Sequence, residues 1–178
     1  MKNNKLIVIF LIKFFGTYAL LFLIYSFYLQ STQKTIDVFA CEPITKTVAN
    51  QTAYILNSVG YETKVIQHTE EVSIKLIVND VYISRIIEGC NSISVIILFI
   101  SFIVAFSSKL IVTSLYILFG SLVIYTINVF RIVIITIAMF EYPQYQMVLH
   151  DLIFPTIIYG ITFLLWFIWV THFSKLKK

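Results

Sequence analysis

Between Leu110 and Phe140 the chain runs for 31 residues with one charged side chain, Arg131, and one side-chain amide, Asn128. As a helix rising 1.5 Å per residue, that run is about 46 Å long, against a hydrocarbon core of roughly 30 Å. It is long for one crossing and short for two. Further apolar runs cover Phe14–Leu29 (with a lead-in from Leu6 to Ile12), Ile93–Phe106 and Leu152–Val170. Of the 178 residues 59% are hydrophobic and only 12% charged, where soluble domains have about 45–50% and about 25%. Mean hydropathy is +0.90. Such a chain is a polytopic integral membrane protein.

Other classes are excluded on composition. Two cysteines, Cys41 and Cys90, are too few for a disulfide scaffold or a multi-cysteine metal site. The net charge of +4 forms no basic stripe with interleaved aromatics, so nucleic acid is not the expected partner. The lysines sit instead at the ends of apolar runs, where they set topology. No metal-ligand spacing, phosphate loop or Ser-His-Asp pattern occurs, and no cofactor is expected.

Taken in order, residues 6–30 are the first transmembrane helix, with Lys13 reaching to the near interface. The run is too long for the apolar core of a signal peptide and is read as a retained anchor. Residues 31–88 differ, with seven acidic and five basic residues. Pro43 starts an amphipathic helix with Ile44, Val48, Ile55, Leu56 and Val59 at helical spacing, ending at Gly60. Thr63–Gln67, Val72–Val78 and Val81–Ile87 are β-branched strand candidates, with Asn79-Asp80 as a tight turn. This is a small α+β cap. Residues 90–106 are the second span, with Cys90 in its first turn. The third is 110–140, followed by a loop at 141–151 and a fourth span at 152–171.

Charge orients the spans. With both ends inside, Lys2, Lys5, Lys13, Lys109, Lys175, Lys177 and Lys178 face the cytoplasm and all nine acidic residues face out, as the positive-inside rule requires. Both ends inside needs an even number of crossings, so 110–140 crosses once. The expected fold is an all-α polytopic membrane protein with four transmembrane helices, both ends cytoplasmic, and a small extracytoplasmic α+β insert.

That topology carries three reactive groups to one membrane face. Cys90 lies at the outer edge of the second span. Arg131 is about 33 Å along a helix from Lys109. His150 immediately precedes the fourth span. A charge within an apolar run is costly and marks a functional site by default. A thiolate is a nucleophile, a histidine can return a proton to a leaving amine, and a guanidinium can donate to an oxyanion. Asn91, Ser92, Asn128 and Asp151 are candidate supporting groups. The bland alternatives are an inert thiol, an interfacial histidine, a stop-transfer arginine and a Cys41–Cys90 disulfide. His68 and His172 stand outside the constellation, and Cys41 reads as structural.

Glu88-Gly89-Cys90-Asn91-Ser92-Ile93, Asn128-Val129-Phe130-Arg131-Ile132 and Leu149-His150-Asp151 resemble motifs of the exosortase/archaeosortase family, and the layout is most like its exosortase F branch. The resemblance spans residues 85 to 170 by motif. It implies a membrane cysteine protease or transpeptidase that cleaves carboxyl-terminal sorting signals of exported proteins at the extracytoplasmic face. Cys90 would be the nucleophile, Arg131 the transition-state arginine and His150 the acid/base. The implied partner is a membrane-anchored substrate with a sorting signal, helix and basic tail. The implied location is a bacterial inner membrane, with the site facing the periplasm. The family's usual Ser-Gly after the cysteine is replaced by Asn91-Ser92. Two other classes remain open: a non-catalytic subunit binding a partner through its cap, and a thiol–disulfide exchanger using Cys41 and Cys90.

Overall fold

The computed structural model describes residues 2–33, 41–69, 71–106 and 108–173. Positions 34–40 of the cap and the lysines at 175, 177 and 178 lie outside the described residues. Helix α1 spans Lys2–Gln33, α2 Pro43–Ser58, α3 Ile93–Ala105, α4 Leu110–Glu141, α5 Gln146–Val148 and α6 Phe154–Ile168. Strands β1 (Thr63–Gln67), β2 (Ile74–Val78) and β3 (Val81–Ile86) form an antiparallel meander in the order β1-β2-β3.

Among the described residues, three helical segments are long and apolar enough to cross a membrane: Ile7–Thr32, Leu110–Glu141 and Asp151–Phe173. The second expected span is different. Helix α3 has 13 residues, about 20 Å at 1.5 Å each, which is less than a hydrocarbon core. It begins at Ile93, because Ser92 adopts φ +65°, ψ 0° and interrupts the helical path. Cys90 therefore lies not in the first turn of the helix but in a separate 3-10 turn, Glu88–Cys90. The segment 141–151 is also not a loop. Pro143–Tyr145 is a 3-10 turn, α5 follows, and Leu149–Ile153 is a π-helical turn that runs into α6.

The long run resolves into one helix with one buried face. Thr113, Gly120, Ile124, Asn128, Ile132 and Thr136 are buried at intervals of four residues, or seven over two turns. Two cores share that face. Lower on the helix, Ile124 packs with Phe99 and Ile103 of α3 and with Leu165 and Trp169 near the end of the chain. Tyr116 Oη donates to the Leu165 carbonyl at 2.7 Å, and Trp169 Nε1 to the Phe106 carbonyl at 3.2 Å. Helix α1 rests on α3 through Phe10, whose ring meets Phe106 and Phe102 at 4.5 and 6.2 Å between centroids. Its Ile12, Phe15 and Phe27 stay exposed, as a lipid-facing surface would be.

Gly120 is required where Phe99 lies on its backbone: a Cβ there would collide with the ring. Phe99 is completely buried. Gly120→Val is expected to cost about 1–3 kcal/mol by overpacking. A lowered thermal midpoint in detergent, recovered in Gly120→Val/Phe99→Leu, is the check.

The upper core belongs to the cap and α4 together. Val48 and Ala49 of α2, Ile74 and Leu76 of β2, and Ile86 of β3 cluster with Val129 and Ile132 of α4. The buried stripe of α2 is Thr45, Val48, Ala49, Thr52, Ala53 and Leu56, mostly small residues that allow close approach. Val59, expected on that stripe, lies just beyond the helix and is exposed. The Asn79-Asp80 turn has φ of +49° and +62°, the two left-handed residues of a primed hairpin turn. The Asn79 side-chain oxygen accepts from the Glu62 amide at 3.1 Å. Docking of the cap on α4 puts the 3-10 turn beside the carboxyl-terminal half of α4, and so sets the site.

Candidate functional site

Cys90 and Arg131 line one cavity of about 440 Å³, walled by β3, the stretch after it, and α4. Ile132, Ile135, Thr136 and Met139 form the α4 wall, and Tyr82, Ser84 and Arg85 come from β3. Two of the three groups expected at the site thus line the same cavity, although 41 residues separate them in sequence. Both are partly buried. The Arg131 Nε atom is buried and has no hydrogen-bond partner among the described residues. That donor is unspent in the resting protein, and the guanidinium that carries it is of the kind that stabilises a developing negative charge. The Arg85 guanidinium is paired with Glu71.

His150 is placed by its backbone in the π-helical turn Leu149–Ile153; its side chain lies outside the described residues. Asp151, in the same turn, is exposed. Asn128 is the supporting group most directly engaged. Its Nδ2 donates to the Cys90 carbonyl at 2.6 Å, tying the thiol-bearing turn to α4.

Asn91 and Ser92 do not face the cavity. Asn91 is buried on the other side of the turn, where Nδ2 donates to Glu42 Oε1 at 2.6 Å and to the Tyr25 hydroxyl at 2.8 Å. Its Oδ1 accepts from the Ile93 amide at 3.0 Å, satisfying a free N–H at the start of α3. Ser92 Oγ donates to the Asn91 carbonyl at 2.6 Å. The left-handed conformation of Ser92 is one that glycine adopts without steric cost, so the site tolerates Ser where Gly would be easiest.

Glu42 was not among the sequence candidates. A carboxylate in front of Pro43 reads as an exposed helix-start charge, yet this one is 0% exposed. It accepts from Thr45 Oγ1 at 2.6 Å as well as from Asn91, and Oε2 has no partner among the described residues. Burial pushes the neighbouring Glu88 carboxyl above its ordinary value, and the charge of Glu42 adds to the shift. A carboxyl raised on folding binds its proton more tightly when folded, so its contribution is present at low pH. That contribution is lost as pH rises from the ordinary carboxylate range through the raised value. Glu88→Gln is therefore expected to raise the thermal midpoint at neutral pH and to change little in acid. Melts from about pH 4 to about pH 8 would show it.

The two cysteines are both free and border the same apolar cluster. Burial pushes the Cys41 thiol up, which a hydrogen bond from Gln67 partly offsets, while the charges of Glu42 and Glu88 raise it further. Cys41 is thus held as a thiol at neutral pH, in keeping with a packing role. No group of three or more His, Cys, Asp or Glu able to hold a metal occurs among the described residues. Compared with protein-family models, curated proteins and solved structures, the chain matches none.

Proposed function

We propose that this chain is a membrane-embedded cysteine peptidase or transpeptidase of the exosortase kind, acting at the extracytoplasmic face. The observation that supports it is the shared cavity, in which a partly buried thiol and an arginine with an unspent buried donor lie together. The resemblance at Glu88–Ile93, Asn128–Ile132 and Leu149–Asp151 supplies the reaction.

In that reaction the Cys90 thiolate attacks a backbone carbonyl of the substrate, and Arg131 donates hydrogen bonds to the resulting oxyanion. The C–N bond breaks, the departing amine takes a proton from His150, and a thioester remains on Cys90. An amine acceptor, or water, then attacks the thioester and gives a proton back to His150 while Cys90 leaves as thiolate. The substrate is a membrane-anchored protein with a carboxyl-terminal sorting signal, whose own helix lies beside these spans in the bilayer. The chain lies in a bacterial inner membrane with both ends inside and four crossings. Helix α3 is the shortest of the four crossings.

Co-expression with a tail-bearing membrane protein tests this. Cys90→Ala is expected to abolish processing, seen as loss of the shorter product on a gel, while Cys41→Ser retains it. Unchanged processing in Cys90→Ala overturns the reading. Thiol–disulfide exchange is the second reading, favoured by the position of both thiols against one cluster; it expects Cys41→Ser to be as inactive as Cys90→Ala.

A further inference from the structure

The 3-10 turn that carries Cys90 is held from two sides. On the cavity side, Asn128 holds the Cys90 carbonyl. On the far side, Asn91 joins three separate pieces of chain: Tyr25 on α1, Glu42 and Thr45 at the start of α2, and the first amide of α3. Glu42 is the centre of that joint, since one oxygen accepts from both Thr45 and Asn91. Taking a carboxylate wholly out of water is costly, and this one keeps an oxygen without a partner among the described residues. Packing alone does not call for it, because an apolar side chain of similar size would fill the space at lower cost. What the carboxylate provides is direction. It accepts from the Asn91 amide and so fixes which way residue 91 faces, and hence which way residue 90 faces.

We propose that Glu42 and Asn91 are positioning residues that aim the Cys90 thiol at Arg131, a role that rests on the peptidase reading of the site. Neither touches the substrate. Glu42 acts through Asn91, and Asn91 acts through the backbone of the turn. The anchor to Tyr25 also ties this aim to the first membrane helix, so that α1 and the cap are registered to the site by one side-chain amide.

The test is a coupling measurement on the full chain in nanodiscs, in a Cys41→Ser background so that Cys90 is the thiol read. The rate of Cys90 alkylation by a small maleimide is measured with and without Arg131→Ala, first in the parent and then in Asn91→Ala and Glu42→Ala. Arg131→Ala is expected to change the rate by about fivefold or more in the parent and by less than about twofold in either variant. Glu42→Gln, which keeps an accepting Oε1, is expected to restore the coupling. An Arg131 effect that is as large in folded Asn91→Ala and Glu42→Ala as in the parent overturns the positioning role. So does a Glu42→Gln variant that is as uncoupled as Glu42→Ala. Where Glu42→Ala fails to fold, Glu42→Met, which keeps the stem and removes both acceptor oxygens, takes its place with the same expectation.

Alkylation requires no peptide cleavage, so the two proposals fail separately. Coupling without substrate processing leaves the positioning geometry and removes the peptidase reading; processing with no loss of coupling does the reverse.

Discussion

Arg131→Met is expected to lower substrate processing by a factor on the order of 10²–10³ while leaving the protein at least as stable as the parent. The two effects separate because of how Arg131 is buried. Its Nε has no partner among the described residues, so the resting protein bears the cost of a desolvated donor without the gain of a hydrogen bond. Methionine keeps the length and apolar stem and removes that cost. In the reaction the guanidinium would meet the oxyanion, and its loss appears in the barrier alone. Lysine would be a poor substitute, because a point charge on a flexible stem lacks the planar array of donors. Gel analysis of a co-expressed tail-bearing substrate, with thermal melts of both proteins in detergent, gives both quantities. Processing at the parent rate would remove Arg131 from the chemistry. A large drop in thermal midpoint would make it a structural residue instead.

Much of this architecture is legible in the chain because the patterns are long. Apolar runs between Ile7 and Phe173 mark membrane-length helices whatever the details of packing. The cap is legible where its local chemistry is strong, with Pro43 opening a helix and Asn79-Asp80 demanding left-handed backbone. What the chain hides are the choices made by tertiary contact. The start of α3 at Ile93 depends on the single torsion of Ser92, so an apolar run beginning at Ile93 looks continuous with Cys90 and is not. The amide of Asn91 has the same sequence neighbours whether it faces the cavity or Glu42. Glu42 itself is indistinguishable from an exposed helix-start charge until α1, α2 and α3 meet around it. Arg131 is legible for a different reason, since a charge within an apolar run stands out whatever packs around it.

The cap should prove to be part of the site's frame rather than an appendage, and Leu76→Ala addresses this. Leu76 is 0% exposed at the centre of the middle strand. The cluster it joins includes Val48 and Ala49 on one side and Val129 and Ile132 on the other. Removing three methyl or methylene-type carbons there is expected to cost about 2–5 kcal/mol, as buried Leu→Ala changes do. That is a large share of a stability commonly near 5–15 kcal/mol. The loss falls on the face where β2 and β3 meet α4, next to the turn that carries Cys90. The cap should therefore loosen from α4 before the lower core around Phe99, Ile124 and Trp169 gives way, since the two clusters share α4 but no buried side chain. Hydrogen exchange in nanodiscs would show lost protection at Ile74–Val78 and Val81–Ile86 with α3 and the lower half of α4 unchanged. Processing should fall with it, because Cys90 and Arg131 come from opposite sides of that seam. If exchange instead rises uniformly through both cores, the cap and the bundle unfold as one unit, and the cavity depends on the whole membrane fold rather than on the docking of the cap.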